Sequence, residues 1–298
     1  MSEATVRVPA TCGEYVQGML ERRHFLISCP IDLFAEVTVA LADDGHVRAP
    51  ADAPKAATAL RLALRHLGAE GVGVRLRIAS PIPRSKGLGS STADVVGAIY
   101  ALALALGCAV TVEEVACLAL AVEPSNSSLF PNLALFDHRQ GTIYEELGPP
   151  PPGEVLVLDC GGEVDTVAYN AVDRRLPLRQ MAPTAAEALR LAREGIHRGD
   201  LALLGQGATL SALAHQAILP KPPLEAAIAL GYGLGAAGVT VGHSGTVIGI
   251  LFPPEPGNRL YLADIFRSRV PGLTVLGWHR LVGGGCRLAS PAHAPCVR

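Results

Sequence analysis

The sequence predicts a mixed α+β protein built as two domains, and three observations carry that prediction. The chain has 298 residues, more than one hydrophobic core usually fills, and 49% are hydrophobic against 17% charged, which supplies apolar surface for two compact cores. Strand-like alternation and helix-like apolar segments interleave in both halves. Four prolines between Gly148 and Gly153 cannot sit inside a helix or a central strand, so the boundary falls there, giving residues 1–152 and 153–298.

In chain order, strands are expected near Arg7, over 24–28 and 33–41, over 72–78 where VGVRLRI alternates, and over 141–147. Helices are expected over 54–67, 90–106 and 112–122. The second is closed by Gly107, and the third is opened by the capping box of Thr111 and Glu114. Residues 95–112 carry no charge, the length at which a membrane span must be considered. Their Ala and Gly content and the punctuation at Gly107 predict a helix buried on every side instead. After the prolines come a strand over 154–159, helices opening at Thr184 and Asp200, and a third over 224–235. A hairpin over 239–252 turns at His243, Ser244, Gly245 and Thr246, followed by a helix over 258–269 and a strand over 274–278. The hairpin tip is either a plain turn or the lip of a phosphate or substrate pocket. No internal repeat is visible.

A formal net charge of -2 argues against a protein that holds nucleic acid or an acidic membrane surface. The cysteines at 12, 29, 108, 117, 160, 286 and 296 form no C-x-x-C pair and no metal-ligand spacing with the nine histidines, so reduced, mostly buried thiols are expected. The N-terminal MSEATVRVPAT has no apolar stretch of the secretory kind, and a cytoplasmic location is expected.

The segment PIPRSKGLGSSTADVV, residues 81–96, carries the chemistry. Gly87 and Gly89 allow positive φ and close backbone approach, and Ser90, Ser91 and Thr92 place hydroxyls where a helix begins. The first N–H groups of a helix lack internal partners and the peptide dipoles leave positive charge there, so a phosphate is the expected ligand. The spacing is neither that of the common P-loop nor that of a dinucleotide fold.

Three segments together resemble the GHMP kinases. PRSKGLGSSTA, Pro83 to Ala93, is similar to that family's phosphate loop, with Thr92 in place of an alanine; PATCGE, Pro9 to Glu14, is similar to its first motif and VTVGHSGTVIGIL, Val239 to Leu251, to its third. Within the superfamily the chain is most similar to the L-threonine kinases of cobalamin biosynthesis, through PATCGEYVQG, SKGLGSSTAD, VEPSNSS, LFDH, ATLSALA, LPKP and HSGTVIGI. The resemblance implies an N-terminal α/β domain with a mixed sheet and a C-terminal ferredoxin-like α+β domain. It also implies ATP and Mg²⁺ as cofactors and L-threonine as the acceptor, phosphorylated for the aminopropanol linker of the cobamide. Homoserine kinase is the alternative within enzymes, and a silent nucleotide-binding regulator the alternative outside them.

The resemblance also assigns roles. Pro83, Lys86, Gly87, Leu88, Gly89, Ser90, Ser91 and Thr92 would hold the nucleotide phosphates, with Lys86 adding a charge. Ser91 and Glu123 would hold Mg²⁺, Glu123 being otherwise a solvated helix-end carboxylate. Asp137, in an apolar stretch, is the candidate for orienting or deprotonating the acceptor, and opening the turn before Gly141 is its other reading. Glu14 is the second candidate at the reacting centre and would meet the substrate ammonium, Lys221 the carboxylate, with His243, Ser244 and Gly245 completing the acceptor site. Lys221 between prolines also reads as surface loop. Asp94, beside the phosphates, is expected to point away from them. The chain lacks the lysine that several relatives carry in the first motif and the aspartate they carry where Ser125, Asn126, Ser127 and Ser128 stand. Base catalysis of the mevalonate kinase kind is therefore not implied.

Overall fold

The computed structural model of the chain describes residues 2–164, 169 and 172–289. Its strands are β1 (Glu3–Leu20), β2 (Arg23–Ala42), β3 (Val47–Arg48), β4 (Gly73–Ala79), β5 (Leu133–Phe136), β6 (Tyr144–Gly148), β7 (Glu154–Asp159), β8 (Gly238–Val241), β9 (Val247–Phe252), β10 (Thr274–Arg280) and β11 (Arg287–Leu288). The described helices of more than one turn are α1 (Pro54–His66), α2 (Ser90–Leu106), α3 (Val112–Leu120), α4 (Arg175–Gln180), α5 (Ala182–Arg198), α6 (Leu201–His215), α7 (Leu224–Gly233) and α8 (Arg259–Arg269).

The expected short strands before residue 42 are one long hairpin. β1 and β2 run antiparallel from Glu3 opposite Ala40 to Leu20 opposite Arg23, with register breaks at Pro9/Ala10, Thr11/Glu14 and Glu14/Val16. Pro9, Gly13 and Pro30 interrupt the alternation that would have announced strands of this length. The structure uses the interruptions as bulges, which bend a strand and re-aim its side chains. Short β5, which is not among the expected strands, pairs with both β2 and β6.

One sheet crosses the proline run, in the order β10-β7-β9-β8-β1-β2-β4-β3, and all its pairings are antiparallel except β3 with β4. Its C-terminal part, with helices between β7 and β8 and α8 between β9 and β10, has the ferredoxin-like strand order that the resemblance implied. The two parts meet where Glu14 of β1 pairs with Val241 of β8. A core between β1, β2, α1 and α2 draws in Ala185, Ala188, Leu189 and Ala192 of α5, while a second gathers Leu156, Val239, Ile250 and Phe266.

α2 is the buried helix expected: its residues from Thr92 to Ala103 are buried apart from Tyr100, and Gly107 closes it at φ 70°. Helices that are apolar all round belong in a core. No described helix is long and apolar enough to cross a membrane. Of the cysteines, Cys12 and Cys29 are buried, Cys108, Cys160 and Cys286 half-buried, Cys117 is exposed, and the six are free thiols; Cys296 lies outside the described residues.

Candidate active site

The three sequence motifs converge on a cavity of about 580 Å³ at the N-terminus of α2. The bulged part of β1 holds the glycine loop from one side through Thr11 N–H to Leu88 O at 3.0 Å and Gly13 N–H to Gly87 O at 3.3 Å. The β8–β9 hairpin holds it from the other, since Thr246 and Val247 both donate to Lys86 O, at 2.8 and 3.2 Å. Gly87 and Gly89 sit at φ 85° and 74°, where side-chain-bearing residues are strained. Gly245 is required by space: a Cβ there would lie 2.3 Å from Gly87 Cα and 2.4 Å from Lys86 O.

No side chain caps the start of α2. Gly87, Leu88, Gly89, Ser90, Ser91 and Thr92 all line the cavity, so the unpaired donors of the helix start open onto it. Pro83 and Lys86 do not line it, whereas Arg84 and Ser85 do. Lys86 is a correction to the sequence reading, because its ammonium lies 2.9 Å from Asp159 and donates to Gly162 O at 2.6 Å, away from the loop's hollow. A different lysine stands in the cavity. Lys55, at the start of α1, lines the cavity and reaches Glu123 at 2.5 Å. Its sequence signal was a cation in the first turn of a helix, where the dipole disfavours one.

Ser91 donates its hydroxyl to Glu123, whose other oxygen takes Lys55. The serine and glutamate paired by the resemblance are thus in contact. Asp94 is a second correction. It lines the cavity, bound to Arg84 at 3.0 Å, and its other oxygen is buried with no partner. Burial raises its pKa and Arg84 opposes the rise; that cation is what permits a carboxylate beside an anion site.

Glu14, Gln17, Leu26, His138, Tyr169 and Ser244 line the cavity as well. Glu14 accepts from the His243 backbone N–H at 2.9 Å and its Nδ1–H at 3.0 Å, and His243 Nε2 takes the Ser211 hydroxyl at 3.1 Å. Burial pushes the Glu14 carboxyl up to about 7, against the His243 N–H and nearby Lys221, and pushes the His243 imidazole down to about 3. His243 is fully buried and does not line the cavity; it braces Glu14, so the structure gives it no direct contact with an acceptor. Lys221 is likewise corrected. It is 3% exposed, donates to Gly242 O at 2.9 Å and does not line the cavity, so it is neither a surface-loop residue nor placed to meet a carboxylate. Burial lowers its pKa to about 8.

Asp137 accepts from the backbone of Arg139, Gln140 and Thr142 and from the Thr142 hydroxyl at 2.6 Å. Burial raises its pKa, but these bonds outweigh it and the net shift is downward. Asp137 does not line the cavity. Its carboxylate is committed to the turn, which corrects its reading as a base and leaves the neighbouring His138 facing the site.

The chain matches the GHMP kinases N terminal domain over residues 54–130 and the GHMP kinases C terminal domain over 192–263. It is 34% identical over 249 residues to an L-threonine kinase of Salmonella typhimurium, covering 83% of this chain and 82% of that one. An L-threonine kinase of Citrobacter freundii is 32% identical over 258 residues, covering 83% and 86%. In fold it is similar to the crystal structure of homoserine kinase from Cytophaga hutchinsonii, with a TM-score of 0.75, 20% identity and coverage of 97% and 98%. With both family domains in order, relatives of this closeness along most of the chain, and a glycine loop seated between β1 and the hairpin, the chain belongs to the GHMP kinases.

Proposed function

We propose that the protein is an ATP-dependent L-threonine kinase, which transfers the γ-phosphoryl group to the threonine hydroxyl and so forms O-phospho-L-threonine for cobamide linker synthesis. The observation that carries the reading is the junction of Ser91, Glu123 and Lys55 at the uncapped start of α2, in a cavity that is also lined by a braced, buried carboxylate, Glu14. The named L-threonine kinases support the choice of acceptor.

Phosphoryl transfer depends on positioning and on stabilising charge more than on covalent help. The N–H groups from Gly87 to Thr92 hold the phosphate chain, and Lys55 adds a positive charge at the same place. Ser91 and Glu123 suit Mg²⁺: both are hard oxygen donors, and the described residues contain no cluster of three or more acidic, histidine or cysteine side chains to replace the waters and phosphates that Mg²⁺ retains. When bound, Mg²⁺ supplies neutralisation of the phosphate charge. Glu14 takes the acceptor's ammonium, and the Ser244 tip of the hairpin closes the site beside the loop. No protein carboxylate is assigned as a base; the hydroxyl proton passes to the transferred phosphoryl group.

The test is a substrate panel with Mg·ATP and L-threonine, L-serine or L-homoserine, reading ADP release and the phosphorus NMR signal of the product. Threonine-dependent turnover above that of the other two is expected. ATP binding with no turnover of any of the three would defeat the proposal.

A further inference from the structure

An amino-acid acceptor brings a carboxylate as well as an ammonium, and among the described residues the cavity is lined by only two full positive charges. The cations that line the cavity, Lys55 and Arg84, are both at the phosphate end, paired with Glu123 and Asp94. Arg139 and Arg174 open onto the neighbouring pocket with His24, where the Arg174 guanidinium is engaged on the Tyr169 ring 3.9 Å from its centroid, and Lys221 faces the Gly242 carbonyl. Among the described lining residues, the donors left for a carboxylate near Glu14 are neutral. Resting on the kinase reading above, we propose that His138 is the carboxylate-recognising residue, donating its Nε2–H to the α-carboxylate while Glu14 receives the ammonium.

Three features of the residue carry this. His138 is 6% exposed and lines the cavity, yet its Nδ1 is sealed away from solvent with no hydrogen-bond partner, so the ring meets the cavity by its other edge, which carries Nε2. A nitrogen with no acceptor nearby gains nothing from a proton, so the neutral ring keeps its proton on Nε2, where a ligand can take it. The ring is also held in place before any ligand arrives. Asp137 pins the turn that follows it, Ser125 N–H bonds the His138 carbonyl at 3.0 Å, and His24 packs edge-on with ring centroids 5.7 Å apart. Burial, reinforced by His24 and Arg139, holds the imidazole neutral, its pKa pushed down to about 3. A neutral donor suits this position, because it binds an anion without neutralising Glu14 across the pocket.

The test compares L-threonine with 1-amino-2-propanol, which keeps the ammonium and hydroxyl and replaces the carboxylate by hydrogen. The latter is measured as a substrate or as a competitive inhibitor. His138→Phe should lower kcat/KM for L-threonine by about 10- to 100-fold, the range of one hydrogen bond to a charged group, and leave 1-amino-2-propanol within about twofold. His138→Gln, whose amide N–H reaches about as far as Nε2, should recover part of the loss, and the shorter His138→Asn should not. Parallel losses for both compounds, or unchanged threonine kinetics, overturn the inference. Binding of a fluorescent ATP analogue is followed in each variant. If His138→Phe loses it, the Gln against Asn comparison decides, and equal threonine kinetics in those two again overturn the inference. A wild-type protein inactive on L-threonine would instead defeat the functional reading, whereas an active wild type with unaffected variants defeats this inference alone.

Discussion

Replacing Gly245 by alanine tests whether the hairpin and the phosphate loop form one unit. A Cβ at Gly245 would meet Gly87 Cα, Lys86 O and Gly87 N at 2.3, 2.4 and 2.5 Å, all backbone atoms that cannot swing aside. The loop and the hairpin must therefore separate. Overpacking of this kind costs about 1–3 kcal/mol. Separation also strains the bonds from Thr246 and Val247 to Lys86 O, each worth about 1 kcal/mol net. The sum is about 3–5 kcal/mol if both bonds are lost, which for a chain of this size lowers Tm by about 6–10 °C. Gly71→Ala is the control, because nothing lies within 4 Å of its Cβ and its φ is not left-handed; it should be neutral or stabilising by up to about 1 kcal/mol. Thermal melts of both variants, with KM for ATP, supply the measurement. The expected Gly245→Ala protein melts early and binds ATP poorly even well below its melting point. A variant that melts with the wild type and binds ATP normally would refute the claim that these two backbones are in van der Waals contact.

Other substitutions separate the roles assigned above. Glu123→Gln and Ser91→Ala should each reduce kcat/KM for Mg·ATP at least tenfold with Tm nearly unchanged; retained turnover in both would remove the metal assignment. Lys86→Met should destabilise by about 1–3 kcal/mol, through the loss of a charged partner for Asp159, while KM for ATP stays within about twofold; Lys55→Met should do the reverse, as nucleotide titrations and melts on the two variants would reveal. Asp137→Asn should weaken the turn and raise the threonine KM through His138, yet keep kcat within about tenfold, whereas loss of a true base would cost about 10²–10⁴-fold. Glu14 predicts a pH effect on stability. Because folding raises its pKa from 4.5 to about 7, its contribution is most favourable below pH 4.5 and is lost as pH rises towards 7. Glu14→Gln, which keeps an acceptor for His243, should match wild type near pH 4.5 and exceed it by about 1–3 kcal/mol at pH 8; a Tm difference independent of pH would contradict the burial argument.

Much of the architecture was legible before any coordinate, because local rules set it. The uncharged run before Gly107, the Thr111–Glu114 capping box, the glycine loop and the Gly245 turn each depend on neighbours within a few residues, and each formed where expected. The long β1–β2 hairpin was hidden because its bulges break the alternation that signals a strand. The site divides in the same way. The chain itself announced an anion loop through its helix-start chemistry, and the family resemblance, not the residues alone, paired Ser91 with Glu123. Which lysine faces the loop was decided by folding: Lys86 belongs to the motif but is drawn to Asp159, and Lys55, far from it in sequence, is delivered by α1. Burial of Lys221 and His243, the turn that occupies Asp137 and the presence of His138 and Glu14 in one cavity likewise exist only once β1 meets β8 and β5 joins β2. Side-chain charge and backbone freedom are properties of a residue, whereas burial, partnership and pKa belong to the space that distant segments enclose together.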